Sequence, residues 1–387
     1  MAVGAAYPRG FRAGCATAGI KASGRPDIAL VVAERPVPAA AVFARSRTPA
    51  PAIAVSRQAI ADGHAQAVLV QSGNANAATG SAGRADAEQM AVTAATAIGA
   101  AAGDVLVAST GVIGVPLPME RVLPGIEAAA AALAADGGAD AATAILTTDA
   151  GPKLAQRDAG SARVGGMAKG AGMIRPDLGT MIAVITTDAA LDSAAADRIL
   201  RDAVDRTFNR ITVDGCASTS DMVALLASGE AGENDEAAVA KAVRGVCEDL
   251  ALMIVSDGEG ARRIARWRIA GAAGDVDART LAYAVAESQL VRCALHGGDP
   301  NWGRIVAALG AAGPAIDPER IAIAIGGIPL CRDGVAVPVS DPAALDAVAA
   351  LDVVEVEIGV GDGPGSWEVW GSDLSHAYVD LNAEYTT

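Results

Sequence analysis

Hydrophobic residues along the first half of the chain fall into two alternating kinds of segment. Short runs of Val, Leu and Ile typical of strands occur at residues 28–32, 67–70 and 105–108. Ala-rich stretches of helical length lie at residues 86–102 and 118–135, and we expect Gly137-Gly138 to end the second helix. The alternation predicts α/β or α+β layers rather than a helical bundle.

The second half repeats this pattern without a Pro/Ser-rich linker between the halves. The pattern predicts strands at residues 181–186, 222–227, 321–325 and 353–358, and helices at residues 194–207, 236–254 and 281–293. The tetrapeptide at residues 147–150, Thr-Thr-Asp-Ala, recurs at residues 186–189 after a similar apolar run. We therefore expect two similar strand ends, although four residues are too few to show a duplication.

Composition and charge narrow the class of protein. The 387 residues suffice for two average domains or one large one; 52% of them are hydrophobic but only 3% are aromatic, so Ala, Val, Leu and Ile must build the core. The net charge of −15 disfavours binding to nucleic acid or to an anionic membrane, because both require a basic surface. The N-terminus shows no apolar leader segment, and we expect a cytoplasmic protein.

Cysteine and histidine are too scattered to form the common metal or triad motifs. The five Cys residues lack CxxC spacing, which favours reduced and mostly buried thiols. The three His residues lie far from one another along the chain. Few residues are therefore available to form a zinc site or a Ser-His-Asp triad. We expect neither a metal nor a cofactor.

Polar residues among glycines mark five segments where chemistry is expected: residues 72–76, 109–114, 169–180, 212–221 and 296–303. Backbone N–H groups at Thr110-Gly111, after the strand at residues 105–108, would suit an oxyanion. An ordinary strand-to-helix turn is the more common meaning of this pattern. None of the five segments matches a nucleotide-binding glycine motif, so nucleotide binding is disfavoured.

Three single residues have competing interpretations. His296 could serve as a general base, but a lone His beside Gly-Gly-Asp-Pro is more often structural, in a turn or buried. Trp302 could be a substrate platform, but an aromatic at the start of a helix is more often a core anchor. Glu259 fits equally well as a partner for a substrate ammonium and as an acid at a helix N-terminus.

The segment KGAGMIRPDLGT, residues 169–180, brings a Gly- and Pro-rich loop to Gly179-Thr180 directly before a buried apolar run. It resembles the self-cleaving motif of the ornithine acetyltransferase (glutamate N-acetyltransferase) family. Further matching segments occur in order along the whole chain: GFRA at 10–13, GIK at 19–21, GNAN at 73–76, STGVI at 109–113, TTD at 147–149, NRITVDG at 209–215, DGEGA at 257–261, DPNWGR at 299–304 and NAEYTT at 382–387.

The resemblance implies a layered αββα sandwich whose nucleophile is an N-terminal Thr. Cleavage between Gly179 and Thr180 would give fragments 1–179 and 180–387, which together form one compact catalytic unit and pair into at least an α2β2 assembly. Free Thr180 would supply a hydroxyl nucleophile and an α-amine base. The implied reaction is ping-pong transfer of an acetyl group from N-acetylornithine to glutamate, two small amino-acid substrates.

The resemblance also implies site residues. Thr110 and Gly111 would form the oxyanion hole. The substrate-contact positions, besides Thr180, are Thr147, Lys169, Glu259, Asn382 and Thr387. Thr148 remains an alternative to Thr147, because the following loop at residues 151–163 varies in length. Lys169 would meet a substrate carboxylate or lower the pKa of the Thr180 amine, and Glu259 with the Thr387 carboxylate would hold an ammonium.

Departures from the family pattern leave alternatives open. Gly179 replaces the usual Ala, Ala171 replaces a frequent Ser, and Cys216-Ala217 replaces a pair that is often acidic or polar. One alternative is an N-acyl-amino-acid hydrolase or an acyltransferase of specialised metabolism. Another is an uncleaved binding paralogue with the fold but not the chemistry. The residues also leave open whether acetyl-CoA serves as a second donor.

Overall fold

The computed structural model describes residues 3–175 and 181–384. The strands are β1 (Phe11–Ala16), β2 (Ile28–Phe43), β3 (His64–Asn74), β4 (Val105–Val112), β5 (Lys153–Ala159), β6 (Ala162–Lys169), β7 (Ile182–Thr187), β8 (Ile211–Thr212), β9 (Met222–Ala227), β10 (Ile264–Ala272), β11 (Ala322–Ile325), β12 (Ile328–Arg332), β13 (Val335–Ala336), β14 (Val353–Gly359) and β15 (Gly365–Ser372). The helices are α1 (Pro51–Ala59), α2 (Gly80–Ile98), α3 (Met119–Ala131), α4 (Gly138–Ala144), α5 (Ser193–Arg206), α6 (Glu236–Ser256), α7 (Asp275–Ala286), α8 (Gln289–Gly297), α9 (Trp302–Ala311), α10 (Pro342–Ala349) and α11 (His376–Glu384).

The described chain forms two compact units. Of the described residues, the first unit contains 3–175, 181–209 and 217–254, and the second contains 210–216 and 255–384. The expected cleavage between residues 179 and 180 lies outside the described residues. That the two fragments form one compact catalytic unit stays a prediction.

A single long strand, β2, organises the sheet of the first unit. The strand order is β4-β3-β2-β9-β7-β6-β5, with β1 also paired to β2. The first part of β2 pairs with β3 and its last residues, Ala39 to Phe43, pair with β9. The β2–β3 register shifts between Val32 and Val37, so the strand serves two half-sheets, one on each side of this irregularity.

The two half-sheets share one hydrophobic core. Val31 and Leu106 of the first half lie in the same buried cluster as Val184 and Ala224 of the second. Because successive strand residues point to opposite faces, the intervening residues pack outward. Those of the first half pack against α2 and α3, while Val246 and Leu250 of α6 pack at β6 beside Ile185 of β7. The layers run helix, sheet, sheet, helix, which confirms the predicted αββα class.

The second unit has a sheet of its own in the order β13-β12-β11-β14-β10-β15-β8. Trp267 and Ile269 of β10 are buried against Leu281 and Val285 of α7 and against Leu309 of α9. This unit therefore consists of one sheet packed against helices, with a hydrophobic core of its own.

Most of the strands expected from the sequence are confirmed, but several boundaries are wrong. β9 has the predicted bounds, whereas the predicted helix at residues 281–293 is two helices. Ser288, between α7 and α8, has an extended backbone with φ −62° and ψ 118°, which is incompatible with a continuous helix. The loop expected at residues 151–163 is also wrong, because it consists mainly of β5 and the start of β6.

Gly137 and Gly138 do not end α3, which finishes at Ala131, and Gly138 instead begins α4. A Cβ atom on either glycine would collide with a backbone carbonyl oxygen, that of Ala13 or of Val3. The glycines therefore allow close backbone approach rather than helix termination.

The Thr-Thr-Asp-Ala repeat does not mark two similar strand ends. Residues 186–187 end β7, but residues 147–150 follow helix α4. The expectation of mostly buried thiols is also wrong. All five cysteines are free, and only Cys247 and Cys331 are buried.

Across the described residues, no helix is both long enough and apolar enough to cross a membrane.

Candidate functional site

Lys169 joins two of the segments expected to carry chemistry. It is the last residue of β6 and pairs in register with Ile182, the first residue of β7. The side chain is buried, and its Nζ donates a hydrogen bond of 3.3 Å to the Thr110 hydroxyl. The first unit thus brings together Lys169 and Thr110, which are 59 positions apart in sequence.

Thr110 and Gly111 lie within β4, which continues to Val112, so the interpretation as a strand-to-helix turn is wrong. Gly111 has φ +130°, and a Cβ atom there would collide with the backbone of Gly73 on β3. The β3–β4 register is irregular here, because Asn74 is paired with both Thr110 and Val112. Such irregularities release peptide groups from the regular ladder, which makes them available to a ligand.

Asp149 connects the Thr147 segment to the end of β6. Its buried carboxylate accepts hydrogen bonds from the backbone N–H of Thr147 (3.0 Å) and of Gly170 (2.6 Å), and from Lys153 Nζ (2.7 Å). Burial alone would raise the pKa of Asp149, but Lys169 and Lys153 oppose it and bring this pKa down to about 2. Asp149 is therefore ionised at neutral pH.

Asp221, directly before β9, is a second buried carboxyl group beside the start of β7. The next residue, Met222, donates its N–H to the carbonyl of Met181. Burial raises the pKa of Asp221 to about 8, opposed by a hydrogen bond from Ser218 and by the charge of Lys169. Among the described residues, the Asp221 Oδ2 atom has no hydrogen-bond partner. With its raised pKa, the carboxyl group is mainly protonated at neutral pH.

Lys21 lies beside Gly73, the β3 residue whose backbone Gly111 approaches. Its Nζ donates to the carbonyls of Pro26 (2.8 Å) and Ala144 (2.9 Å), and its stem covers Gly73. Burial lowers the pKa of Lys21 to about 8, partly opposed by the nearby carboxylate of Asp27. Lys21 therefore holds the end of α4, from which the Thr147 segment departs.

In the second unit, Glu259 and Asn382 contact each other. Asn382 Nδ2 donates to Glu259 Oε2 at 2.9 Å. Glu259 lies in a turn that leads into β10, so its interpretation as an acid at a helix N-terminus is wrong. Nearby Tyr378 has its pKa raised to about 12, first by burial and then by the charges of Asp214, Cys216 and Glu259.

His296 and Trp302 have structural roles. His296 lies in α8 rather than in a turn, and its Nδ1 is 2.7 Å from Asp373 Oδ2. That buried partner supports the structural interpretation of His296. Trp302 begins α9 and packs against the core of the second unit, which confirms it as a core anchor.

Several predicted site residues cannot be placed. Gly179, Thr180 and Thr387 lie outside the described residues. Within the described ranges, no group of three or more His, Cys, Asp and Glu side chains is arranged to hold a metal ion.

Lys153, Asp149 and Asp221 had no role assigned from the sequence. Asp149 ends the family-matching segment at residues 147–149 and Asp221 ends the polar segment at residues 212–221, but nothing in the sequence shows that these carboxyl groups are buried. Lys153 was missed because its segment was expected to be a variable loop, and only the pairing of β5 with β6 brings it against Asp149.

The fold is that of a layered α/β protein with a buried Lys-Thr pair where β4 and β6 meet. A family model for the ArgJ family matches residues 12–387. The arginine biosynthesis bifunctional protein ArgJ of Thermus thermophilus is 45% identical over 381 residues, covering 98% of this chain and 99% of the relative. The protein with the same name from Gloeobacter violaceus is 44% identical over 397 residues, covering 99% and 98%. The chain therefore belongs to the ArgJ family.

Solved structures of similar proteins match parts of the chain. One is an arginine biosynthesis bifunctional protein ArgJ from Bacillus halodurans, 38% identical, with a TM-score of 0.49 over 52% of this chain and 97% of the other. Another is the ornithine acetyltransferase of Mycobacterium tuberculosis complexed with ornithine, 39% identical, with a TM-score of 0.42 over 46% and 95%.

Family membership confirms the resemblance drawn from residues 169–180 and the other matching segments. The protein is an acyltransferase of arginine biosynthesis, as predicted, and the alternative of a related hydrolase or specialised acyltransferase is not favoured.

Proposed function

We propose that this protein transfers an acetyl group from N-acetylornithine to glutamate through an ester on Thr180, after cutting its own chain at Gly179-Thr180. The observation that carries the proposal is the hydrogen bond between Lys169 and Thr110. It joins a predicted substrate-binding residue to a predicted oxyanion residue at the edge where β7 begins.

The first step is cleavage. The Thr180 hydroxyl attacks the Gly179 carbonyl, the C–N bond breaks, and the released nitrogen takes up a proton to become an amine. Water then hydrolyses the resulting ester and frees fragments 1–179 and 180–387. A buried strand directly after Thr180 suits this step, because it holds the new terminus in place.

Transfer then follows in two half-reactions. The Thr180 α-amine, with a reference pKa of about 7.7–8.0, accepts the hydroxyl proton while the oxygen attacks the acetyl carbonyl. Thr110 and Gly111 stabilise the oxyanion, and ornithine leaves with the proton. Glutamate attacks the acetyl-Thr ester through its amine, which regenerates the Thr180 hydroxyl.

The remaining predicted residues hold the substrates. Lys169 meets a substrate carboxylate or lowers the pKa of the Thr180 amine. Thr147 also contacts the substrate, and Asp149 links its backbone to that of Gly170, the residue after Lys169. Glu259, Asn382 and the Thr387 carboxylate bind an ammonium group. We further propose that the fragments stay associated, pair into at least an α2β2 assembly, and work in the cytoplasm.

The test is an assay of both acetylglutamate and free acetate with N-acetylornithine as donor. Wild type should form acetylglutamate, Thr180→Ala should form neither product, and Thr180→Ser, which keeps a hydroxyl, should retain measurable transfer. Acetate without acetylglutamate would instead indicate a hydrolase. Transfer that survives in Thr180→Ala would remove Thr180 as the nucleophile.

A further inference from the structure

Ser375 connects the turn that carries Glu259 to the helix that carries Asn382. It lies directly before α11, and it is buried. Its hydroxyl donates a hydrogen bond of 2.6 Å to the Gly260 carbonyl and accepts one of 3.1 Å from the Tyr378 N–H. A single buried hydroxyl thus bridges the turn and the helix from which the two predicted ammonium-binding residues extend.

Gly260 brings the turn and the helix into direct backbone contact. Its φ of +66° lies in the left-handed region, and a Cβ atom there would collide with the backbone nitrogen of Tyr378. The same Cβ atom would lie 2.9 Å from the Ser375 hydroxyl. Because this conformation and this contact both require glycine, the turn lies directly against the first residues of α11, where the Ser375 hydroxyl holds it.

Asp373 holds the next part of the same segment. Its carboxylate accepts a hydrogen bond of 2.9 Å from the Arg262 N–H, and its own N–H donates one of 3.0 Å to the Arg263 carbonyl. These bonds fix residues 262–263 before β10 without any contribution from residue 375. Loss of the Ser375 hydroxyl should therefore loosen mainly the part of the turn next to Glu259.

Glu259 and Asn382 are arranged to accept hydrogen bonds from a cation. The Asn382 amide nitrogen donates to Glu259 Oε2 (2.9 Å) and to the Tyr378 carbonyl (3.0 Å), which uses both of its hydrogens. The other polar atom of the amide is its oxygen, which is an acceptor, as is the carboxylate. Since hydrogen bonds weaken steeply with poor geometry, binding of one ammonium by both groups depends on how firmly the turn is held against α11.

We propose that Ser375 is a positioning residue of the ammonium site, whose hydroxyl holds the Glu259 turn against α11 so that Glu259 and Asn382 accept from the δ-ammonium of N-acetylornithine together. The inference rests on the proposed function. A hydroxyl that only capped α11 would stabilise the helix but would not affect the choice between donors with and without this ammonium.

The test compares N-acetylornithine with N-acetylnorvaline, which has the same carbon chain without the δ-ammonium. Wild type should prefer N-acetylornithine, as measured by kcat/KM. Ser375→Ala should lower this preference about tenfold, mainly through a higher KM for N-acetylornithine. Its kcat/KM for N-acetylnorvaline should stay within about twofold of wild type. Ser375→Thr keeps the hydroxyl, so its preference should stay within about threefold of wild type.

A double variant shows whether Ser375 acts through Glu259. Glu259→Gln should already have lost most of the preference, so adding Ser375→Ala should lower it by less than about twofold more. Ser366→Ala is the matched control, because Ser366 is exposed on β15, and it should keep the preference of wild type. Intact mass and melting temperature first establish that each variant is processed and folded.

Three results would overturn the proposal: equal use of both donors by wild type, an undiminished preference in Ser375→Ala, or a further tenfold loss in the double variant. If Ser375→Ala does not fold, Ser375→Gly replaces it with the same expected result, since glycine at a helix N-cap costs little stability. Absence of any acetyl transfer in wild type would instead refute the proposed function, so the two failures are distinguishable.

Discussion

Gly111 on β4 and Gly73 on β3 face each other so closely that a Cβ on Gly111 would collide with the Gly73 backbone. Both have positive φ, +130° and +102°, conformations that side chains of L-residues rarely allow. The contact lies where the register of the parallel strands β3 and β4 is irregular, next to Thr110. The predicted oxyanion hole thus depends on a pair of glycines from different segments.

Gly111→Ala should therefore destabilise the fold by about 1–3 kcal/mol, because it adds backbone strain to a steric collision, and should abolish acetyl transfer. Urea unfolding and the transfer assay measure the two effects. Gly103→Ala is the control, since a Cβ there meets nothing within 4 Å, and its stability should stay within about 0.5 kcal/mol of wild type. An active Gly111→Ala enzyme would show that this backbone geometry is unimportant.

Asp221 predicts a pH dependence of stability. Its carboxyl pKa is raised from 3.8 to about 8 in the folded protein, first by burial. Between these pH values the folded state binds a proton that the unfolded state has lost, so this group makes the fold less stable as pH rises from about 4 to about 8. Asp221→Asn removes the titration, and its stability relative to wild type should increase with pH across that window.

Urea midpoints at pH 5.5, 7 and 8.5 check the Asp221 prediction. Asp197→Asn, at an exposed ion pair on α5, is the control and should follow wild type at all three pH values. Parallel curves for Asp221→Asn and wild type would mean that Asp221 does not titrate in this range.

Glu259→Gln tests the predicted ammonium site of the second unit. Glutamine keeps the side-chain oxygen that accepts from Asn382 but removes the negative charge. Hydrogen bonds to charged groups contribute about 1.5–3 kcal/mol, so the KM for N-acetylornithine should rise about tenfold or more. Glu319→Gln, at an exposed position, should leave KM unchanged. An equal KM in Glu259→Gln would exclude Glu259 as a substrate contact.

The alternation of apolar runs is sufficient to predict the class of fold, because the central strands β3, β7 and β9 are buried on both faces and form apolar runs in the sequence. Boundaries failed where tertiary contacts decide them. Gly137 and Gly138 read as a helix stop, yet they are small because the backbones of Ala13 and Val3 approach them.

The site could be predicted only in part from local sequence. Thr110 and Lys169 were found through their motifs, but their hydrogen bond joins β4 to β6 and no local pattern reveals it. The ion pair of Lys153 with Asp149 was missed for the same reason, since the segment 151–163 looked like a loop. Burial and long-range contacts, which local sequence does not show, lower the pKa of Asp149 and raise that of Asp221.

Intact-protein mass spectrometry of freshly purified wild type tests the central claim most directly. The account predicts two species, matching residues 1–179 and 180–387, whose masses together equal that of the 38.3 kDa chain plus one water. One uncut species of full mass in a natively folded sample that catalyses acetyl transfer would contradict it.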